Sequence, residues 1–358
     1  MSRIRPFERD DLPGVASLYE SVMRSGGRTP PPLLGAYFER TLLDHPWADP
    51  EIPSLVYEDD GRILAFLGSH VRRLRFDGRP IRMAVPGQFV SDRAHRHKAV
   101  GALLLRRYLS GPQDITVAEG EAPLRFMWEK LGGVALQPAC ISWTRHLQPA
   151  RVLGDELLER SHRQRWKPVA RPISALIDAV ATRKLRVSEP SNRGEPLTPE
   201  AVLEHLLSVV GEIRLIPDYS EAFLRWLFDE MAAVRTRGTL ARCLVRDQDR
   251  VLGWYITYLQ PGGIGQVMQI AAADRDIPAV LDHLFHHAQS SGSAAIEGRL
   301  DARLFEALAG RRCVLRYGTR VLAHSRAPEL LSAMALGHAF VTRMDGEWWM
   351  GHHRESFR

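Results

Sequence analysis

Residues 92–109 read DRAHRHKAVGALLLRRYL, so a basic run leads directly into a small-residue turn and a leucine-rich helix. The first turn of a helix presents backbone N–H groups without internal partners, and the helix dipole favours an anion there. Small side chains let such an anion approach the backbone closely. This stretch therefore indicates a phosphate site, and a tight loop with a solvated rim is the simpler alternative.

The segment around this stretch predicts one layered α+β unit. A short strand and two helices occupy residues 3–43, and β-rich runs follow from residue 54 to residue 91. Asp60-Gly61 and Asp77-Gly78 are typical of hairpin turns between those runs. With the helix at residue 99, the later runs complete an order of β-α-α-β-β-β-α-β-α-β over about 150 residues.

The second half of the chain repeats the first. SLVYEDDGRILAF, from Ser54, matches CLVRDQDRVLGWY, from Cys243, and VAEG at Val117 matches AIEG at Ala295. An Asp-Arg pair precedes a helix in both halves, at Asp92 and at Asp274. Because the order and spacing of these matches are kept, the sequence predicts two copies of one fold.

The two copies differ where the helix begins. Residues 96–102 read RHKAVGA, whereas the matched residues 276–282 read DIPAVLD. The second stretch lacks glycine, contains a proline and carries two carboxylates, which repel an anion. The sequence therefore predicts a phosphate site in the first copy alone.

At these motifs the first copy resembles the GNAT (GCN5-related N-acetyltransferase) superfamily. Its pyrophosphate loop, Arg/Gln-x-x-Gly-x-Gly/Ala, is similar to residues 96–101, with Ala99 in place of the first glycine. A later family signature is similar to residues 121–133, where Trp128-Glu129-Lys130-Leu131-Gly132 stands for Tyr-x-Lys-x-Gly. The resemblance covers residues 3 to about 147, and it reaches the second half through the repeat.

The resemblance implies an acyl-CoA site, most simply for acetyl-CoA. Phe89 and Val90 would offer backbone groups to the pantetheine arm, and the loop would hold the pyrophosphate. The implied cofactor-binding residues are Phe89, Val90, Arg96, His97, Lys98, Ala99, Val100, Gly101, Ala102 and Trp128. The fold it implies is two GNAT-like domains, each a mixed, mostly antiparallel sheet flanked by helices.

The chain departs from the family at the acid and base positions. Trp128 replaces a tyrosine that serves as general acid, and Gln88 stands near the position of a glutamate base. Acyl transfer needs a neutral amine and a polarised carbonyl. The candidate catalytic residues are therefore Glu119, Gln88 and His70, with Glu119 as the first choice for the base. Glu121 and a group from the second copy are further alternatives for it.

Composition limits the class of protein. The 358 residues are 45% hydrophobic and 25% charged, with a net charge of +6, which suits a phosphate-bearing ligand but is too mild to indicate nucleic acid. We expect no membrane span and no signal peptide. The three cysteines are widely spaced, so we expect a reduced, cytoplasmic protein.

The sequence also predicts domain boundaries and contains further candidate site residues. We predict domains at residues 1–150 and 196–358, joined by a basic connector at 151–195. His283 and His287 lie one helical turn apart, but without a third ligand they do not predict a metal site. The further aromatic candidates are Tyr255 and Tyr258, for core or cleft, and Trp348 and Trp349, for core or an acceptor-binding wall.

The sequence thus predicts a tandem GNAT-like N-acyltransferase. The first copy would bind acyl-CoA and the degenerate second copy would shape the acceptor site. Direct transfer to an amine is expected, because no serine or cysteine stands out as a nucleophile. The acceptor would be a small amine, an amino sugar or a peptide. The alternatives are a peptidoglycan-bridge-type transferase that uses aminoacyl-tRNA and a non-catalytic CoA-binding sensor. The oligomeric state is left open.

Overall fold

The computed structural model describes residues 2–24, 29–120, 122–148, 187–318, 320–346, 355 and 357. The side chains of residues 96–98 and 122 lie outside this description. So do most of the predicted basic connector and the pair Trp348 and Trp349. Within the described residues, none of the helices is both long and apolar enough to cross a membrane.

The chain forms two compact units, each assembled from separate parts of the sequence. Unit 1 comprises Met1–Gln137, Ile213–Thr236 and Thr319–Arg358. Unit 2 comprises Pro138–Glu212 and Arg237–Gly318. This division differs from the continuous domains predicted from the sequence, because strand pairing rather than position along the chain decides which sheet a strand completes.

The described elements of unit 1 follow the predicted order. Its strands are β1 (Arg3–Pro6), β2 (Leu55–Asp59), β3 (Arg62–Phe76), β4 (Arg79–Ser91), β5 (Ile115–Gly120), β6 (Val134–Ala135), β9 (Leu215–Pro217) and β15 (Arg320–Ser325). Its helices are α1 (Leu12–Tyr19), α2 (Pro32–Phe38), α3 (Val100–Leu109), α4 (Ala122–Lys130), α6 (Glu221–Ala233) and α9 (Pro328–Ala335). Single π-helical turns extend α1 and α2, at Glu20–Arg24 and Glu39–Leu43.

The sheet of unit 1 has the order β1-β2-β3-β4-β5-β15-β6, with β9 paired to β3. The two predicted hairpin turns are confirmed, with positive φ at Asp60-Gly61 and Asp77-Gly78. Helices cover both faces of the sheet. One apolar cluster joins it to α3 and Trp128, and another joins it to α1 and α2 through Phe66.

Unit 2 contains a second sheet of similar build. Its strands are β7 (Ile141–His146), β8 (Arg193–Pro196), β10 (Thr239–Asp247), β11 (Arg250–Leu259), β12 (Ile264–Ala272), β13 (Ala295–Arg299) and β14 (Val314–Tyr317). Its described helices are α5 (Pro199–Val210), α7 (Ile277–Ser290) and α8 (Phe305–Ala309). The sheet order is β14-β7-β13-β12-β11-β10-β8.

The repeat seen in the sequence corresponds to equivalent elements. The hairpin β2–β3 matches the hairpin β10–β11. In unit 1, α3 connects β4 to β5, which pairs with β4 in parallel. In unit 2, α7 connects β12 to β13, which pairs with β12 in parallel. The strand that follows each repeat along the chain joins the sheet of the other unit. β7 completes the sheet of unit 2 between β13 and β14, whereas β15 completes that of unit 1 between β5 and β6.

Candidate active site in unit 1

The start of helix α3 has the geometry of an anion-binding turn. A 3-10 turn spans Arg93–Lys98, and Ala99 then adopts the left-handed conformation, with a φ of 51°. An L-residue pays a steric penalty there and glycine does not, which explains why related loops place glycine at this position. Helix α3 begins at Val100, so the N–H groups of its first turn, at Val100, Gly101 and Ala102, point out of the helix end.

Gly101 keeps this turn open on one side. A Cβ atom built on Gly101 would lie 3.4 Å from Cζ of Phe89 and 3.6 Å from Oγ of Ser91. Both of those residues come from the end of β4. The helix start and the end of β4 therefore face each other across a gap that a larger side chain at position 101 would fill.

Strand β4 is bulged just before it reaches the helix start. Its pairing with β3 shifts register between Phe66 and Gly68, and Gln88 has a φ of 48°. A bulge of this kind bends the strand and turns backbone groups out of the ladder. The backbone near Phe89 and Val90, predicted to offer groups to a ligand, lies immediately after this bulge.

The pairing of strands β4 and β5 ends soon after their first contact. Their parallel pairing comprises Met83 with Ile115 and Ala84 with Thr116. Glu119 lies three residues further along β5, opposite Val321 of β15. The ladder between the two strands thus ends before the bulge and the start of α3, and ligands bind at such carboxyl ends in many open sheets.

Gln88 and His70 contact each other on one face of the sheet. Nε2 of His70 lies 3.0 Å from Oε1 of Gln88, and the ring N–H donates to the amide oxygen. His70 is fully buried, and burial together with Arg72 lowers its pKa to about 3, although the bond to Gln88 acts in the opposite direction. The imidazole is therefore neutral at physiological pH and holds the Gln88 amide in place.

Gly68 makes room for Gln88, a role that the sequence reading missed. A Cβ atom at Gly68 would lie 2.7 Å from Oε1 of Gln88 and 3.0 Å from a methyl group of Leu42. A glycine inside a strand pattern often marks such a close approach, and this was the available signal. Ala118 packs into the α3 cluster, so strand alternation puts Glu119 on the opposite sheet face, where His70 and Gln88 lie.

Trp128 belongs to the core. It is fully buried, and its indole N–H donates to the carbonyl of Ala323 at 3.0 Å. The ring also occupies the space beside Gly133, where a Cβ atom would overlap it. Trp128 therefore has a packing role, which an indole with a single donor satisfies well.

The matched helix start in unit 2 is closed. Asp276 caps α7, is 7% exposed and accepts from Nη1 of Arg250 at 2.7 Å. The N–H of Ile277 donates to the carbonyl of Ala273, and Pro278 has no N–H. At this helix end the N–H of Ile277 is therefore satisfied within the chain and residue 278 offers no N–H, in contrast to the start of α3.

His283 and His287 of unit 2 surround a phenol. The hydroxyl of Tyr255 lies 3.0 Å from Nδ1 of His283 and 2.8 Å from Nδ1 of His287. Tyr255 and Tyr258 are fully buried, so both are core residues. Among the described residues, no group of three or more His, Cys, Asp or Glu side chains has an arrangement that could hold a metal ion.

Solved structures with a similar fold include N-acetyltransferases and a probable N-acyltransferase. A probable N-acyltransferase from Enterococcus faecalis V583 has a TM-score of 0.59 at 10% identity, over 91% of this chain and 73% of that chain. A GCN5-related N-acetyltransferase from Anabaena variabilis ATCC 29413 has a TM-score of 0.57 at 11% identity, with the same coverage. The chain has the GNAT fold.

A third similar structure is Saccharomyces cerevisiae N-myristoyltransferase with bound myristoyl-CoA. Its TM-score is 0.52 at 11% identity, over 90% of this chain and 77% of that chain. No protein-family model and no curated protein sequence matches the chain. The GNAT fold is thus recognised through structure.

Proposed function

We propose that this protein is an acyl-CoA-dependent N-acyltransferase whose active site lies at the carboxyl ends of β4 and β5 in unit 1. The observation that carries the proposal is the left-handed Ala99 followed by the open first turn of α3, which faces the bulged end of β4. Acetyl-CoA is the simplest donor, and a primary amine of a small molecule, amino sugar or peptide is the acceptor. CoA supplies the activated thioester.

The residues present fit the charged part of CoA. The first-turn N–H groups of α3 and the helix dipole would bind the pyrophosphate without needing side-chain charge. The space beside Gly101 admits the backbone-bound anion. Because the ladder between β4 and β5 ends before the bulge, β4 backbone groups would be available to the pantetheine arm, and an N–H near Val90 would polarise the thioester carbonyl.

Three side chains on the opposite sheet face from the α3 cluster would serve the acceptor. Glu119 would remove a proton from the ammonium group, so that a neutral amine attacks the carbonyl carbon and the thiolate leaves. Gln88 would orient the amine through its amide. His70 is a positioning residue, because it is buried and reaches the site only through Gln88.

Ligand-dependent stability tests the donor site. Acetyl-CoA at a hundred times its dissociation constant should stabilise the chain by about 2.7 kcal/mol, read as a rise in the unfolding temperature. Gly101→Glu should abolish the rise, because it places a carboxylate where the pyrophosphate binds. Leu103→Glu is the matched control, since Leu103 lies on the same helix and is 43% exposed. A full rise in G101E would contradict the site.

Steady-state kinetics test the base. Glu119→Gln should lower kcat by about 100-fold or more and leave the acetyl-CoA stabilisation intact, because removal of a general base affects chemistry and not donor binding. Thiol release would be measured with a panel of amines. Donor binding without thiol release from any amine would favour the sensor alternative, which the non-acidic Trp128 also supports. Comparing thiol release from acetyl-CoA and from myristoyl-CoA would show which acyl chain length the protein prefers.

A further inference from the structure

A pocket in unit 2 surrounds a buried guanidinium. The pocket has a volume of about 590 Å³ and is bordered by the first turn of α7, the end of α8, strand β7 and residues 187–192. Arg145 projects from β7 into it and is 9% exposed. The pocket belongs to unit 2 throughout and contains none of the residues of the proposed active site.

Arg145 has no partner among the described residues. Its Nε atom is buried without a hydrogen bond, and within this part of the chain no carboxylate pairs with its guanidinium. Burial lowers the pKa of Arg145, and Arg312 adds to this effect. A guanidinium remains charged in proteins, so the cost of its burial must be offset by another group.

The other charged residues of the pocket compensate this positive charge only in part, through the nearby Asp282. Arg311 is held by Asp282 through two bonds of 2.7 Å, so that carboxylate is already committed. Glu189 is the remaining acidic residue of the lining and is exposed. Arg312 adds a further cation to the lining.

We propose that this pocket binds a small organic anion through Arg145. A guanidinium presents paired N–H donors that match a carboxylate or a phosphate, and an enclosed site strengthens the bonds. Pro190, Val187 and Phe285 give part of the wall an apolar surface, which suits an anion carried on a small carbon skeleton. The ligand would neutralise Arg145, for which the described part of the chain supplies no hydrogen-bond or ion-pair partner.

Thermal unfolding of the full chain tests this proposal. Inorganic phosphate and succinate are titrated separately at constant ionic strength in a chloride-poor buffer, so that the two arms distinguish phosphate from carboxylate recognition. At least one anion should raise the unfolding temperature in a saturable manner. Arg145→Gln should lose this response and, without added anion, should be no less stable than the native chain, because an unpaired buried charge is removed.

The controls keep the outcome decisive. Arg193→Gln removes an arginine of the same unit that is 81% exposed, and it should retain the response. Gly101→Glu should also retain it, which separates this pocket from the proposed CoA site. Arg145→Lys keeps the charge but lacks the planar guanidinium, so it should bind the anion more weakly by at least about tenfold. Equal responses in the native chain and both Arg145 variants, or no response to either anion, would overturn the proposal.

Discussion

Helices α3 and α7 occupy equivalent places in the two repeats, yet they begin in opposite ways. In unit 1 the chain turns through the left-handed Ala99, and α3 starts at Val100. In unit 2, α7 starts at Ile277, three residues before Val280, the residue matched to Val100. The added residues place Asp276 at the helix end, with Arg250 as its partner.

The difference shows that two copies of one fold can begin equivalent helices in different ways and keep the same core. The buried faces of the two helices agree, because Val100, Leu104 and Leu105 correspond to Val280, Leu284 and Phe285. Only the first turn has changed, from open donors to an internally capped end. Packing therefore constrains the inner face, whereas the helix start is free to bind an anion or to cap itself.

Each unit contains a buried arginine, and the two arginines differ in the partners that surround them. Arg72 of unit 1 is fully buried and donates to the carbonyls of Asp345 and Val71, each at 3.0 Å. The Asp345 carboxylate is buried as well and accepts from Tyr219 and from Thr342. Unit 1 thus gives Arg72 two carbonyl acceptors and a nearby carboxylate, and leaves its Nη2 atom buried without a hydrogen bond. Arg145 of unit 2 has no hydrogen-bond or ion-pair partner within the described residues.

The largest effect on stability is expected from removing the buried carboxylate near Arg72 in unit 1. Asp345→Ala should lower the free energy of unfolding by about 3–5 kcal/mol, because it leaves Arg72 without a buried counter-charge and Tyr219 without an acceptor. Urea denaturation would measure it. Asp276→Ala, in unit 2, is the matched control and should cost about 1 kcal/mol, since its partner Arg250 is half-exposed. Equal losses would refute the distinction.

Acid should destabilise unit 1 through its buried histidines. Burial and Arg72 hold the pKa of His45 well below its usual range and that of His70 at about 3. The unfolded chain binds protons at about pH 6.5, so this stability is present above that pH and is lost as the pH falls toward the folded value. Each histidine should contribute about 1.4 kcal/mol per pH unit.

Unfolding free energies at pH 7.5 and pH 5.5 would measure this acid effect. His70→Gln should reduce the pH dependence while an amide at position 70 still reaches Gln88. His283 and His287 of unit 2, whose pKa values burial also lowers, shift stability in the same direction. An unchanged pH dependence in H70Q would mean that His70 is protonated in the folded chain.

Local patterns in the sequence predicted much of the fold and located the helix start to which the donor site is assigned in our proposal. Asp60-Gly61 and the repeat motifs identified hairpins and two copies, because turn chemistry and alternation act over a few residues. The exchange of β7 and β15 was out of reach, since strand pairing between distant segments leaves little trace in one sequence. The packing environment of Trp128 was out of reach for the same reason, because its partner Ala323 lies almost two hundred residues away.

The smallest effect gives the most direct test of the two helix starts. Ala99→Gly should stabilise the chain by about 0.5–1 kcal/mol, because glycine relieves the left-handed strain at a φ of 51°. The matched Ala279→Gly should destabilise it by a similar amount, about 0.5–1 kcal/mol, because Ala279 lies within α7. Urea midpoints would resolve opposite signs. If both glycines destabilise the chain, the loop before α3 is not left-handed at Ala99, and the two helix starts are alike after all.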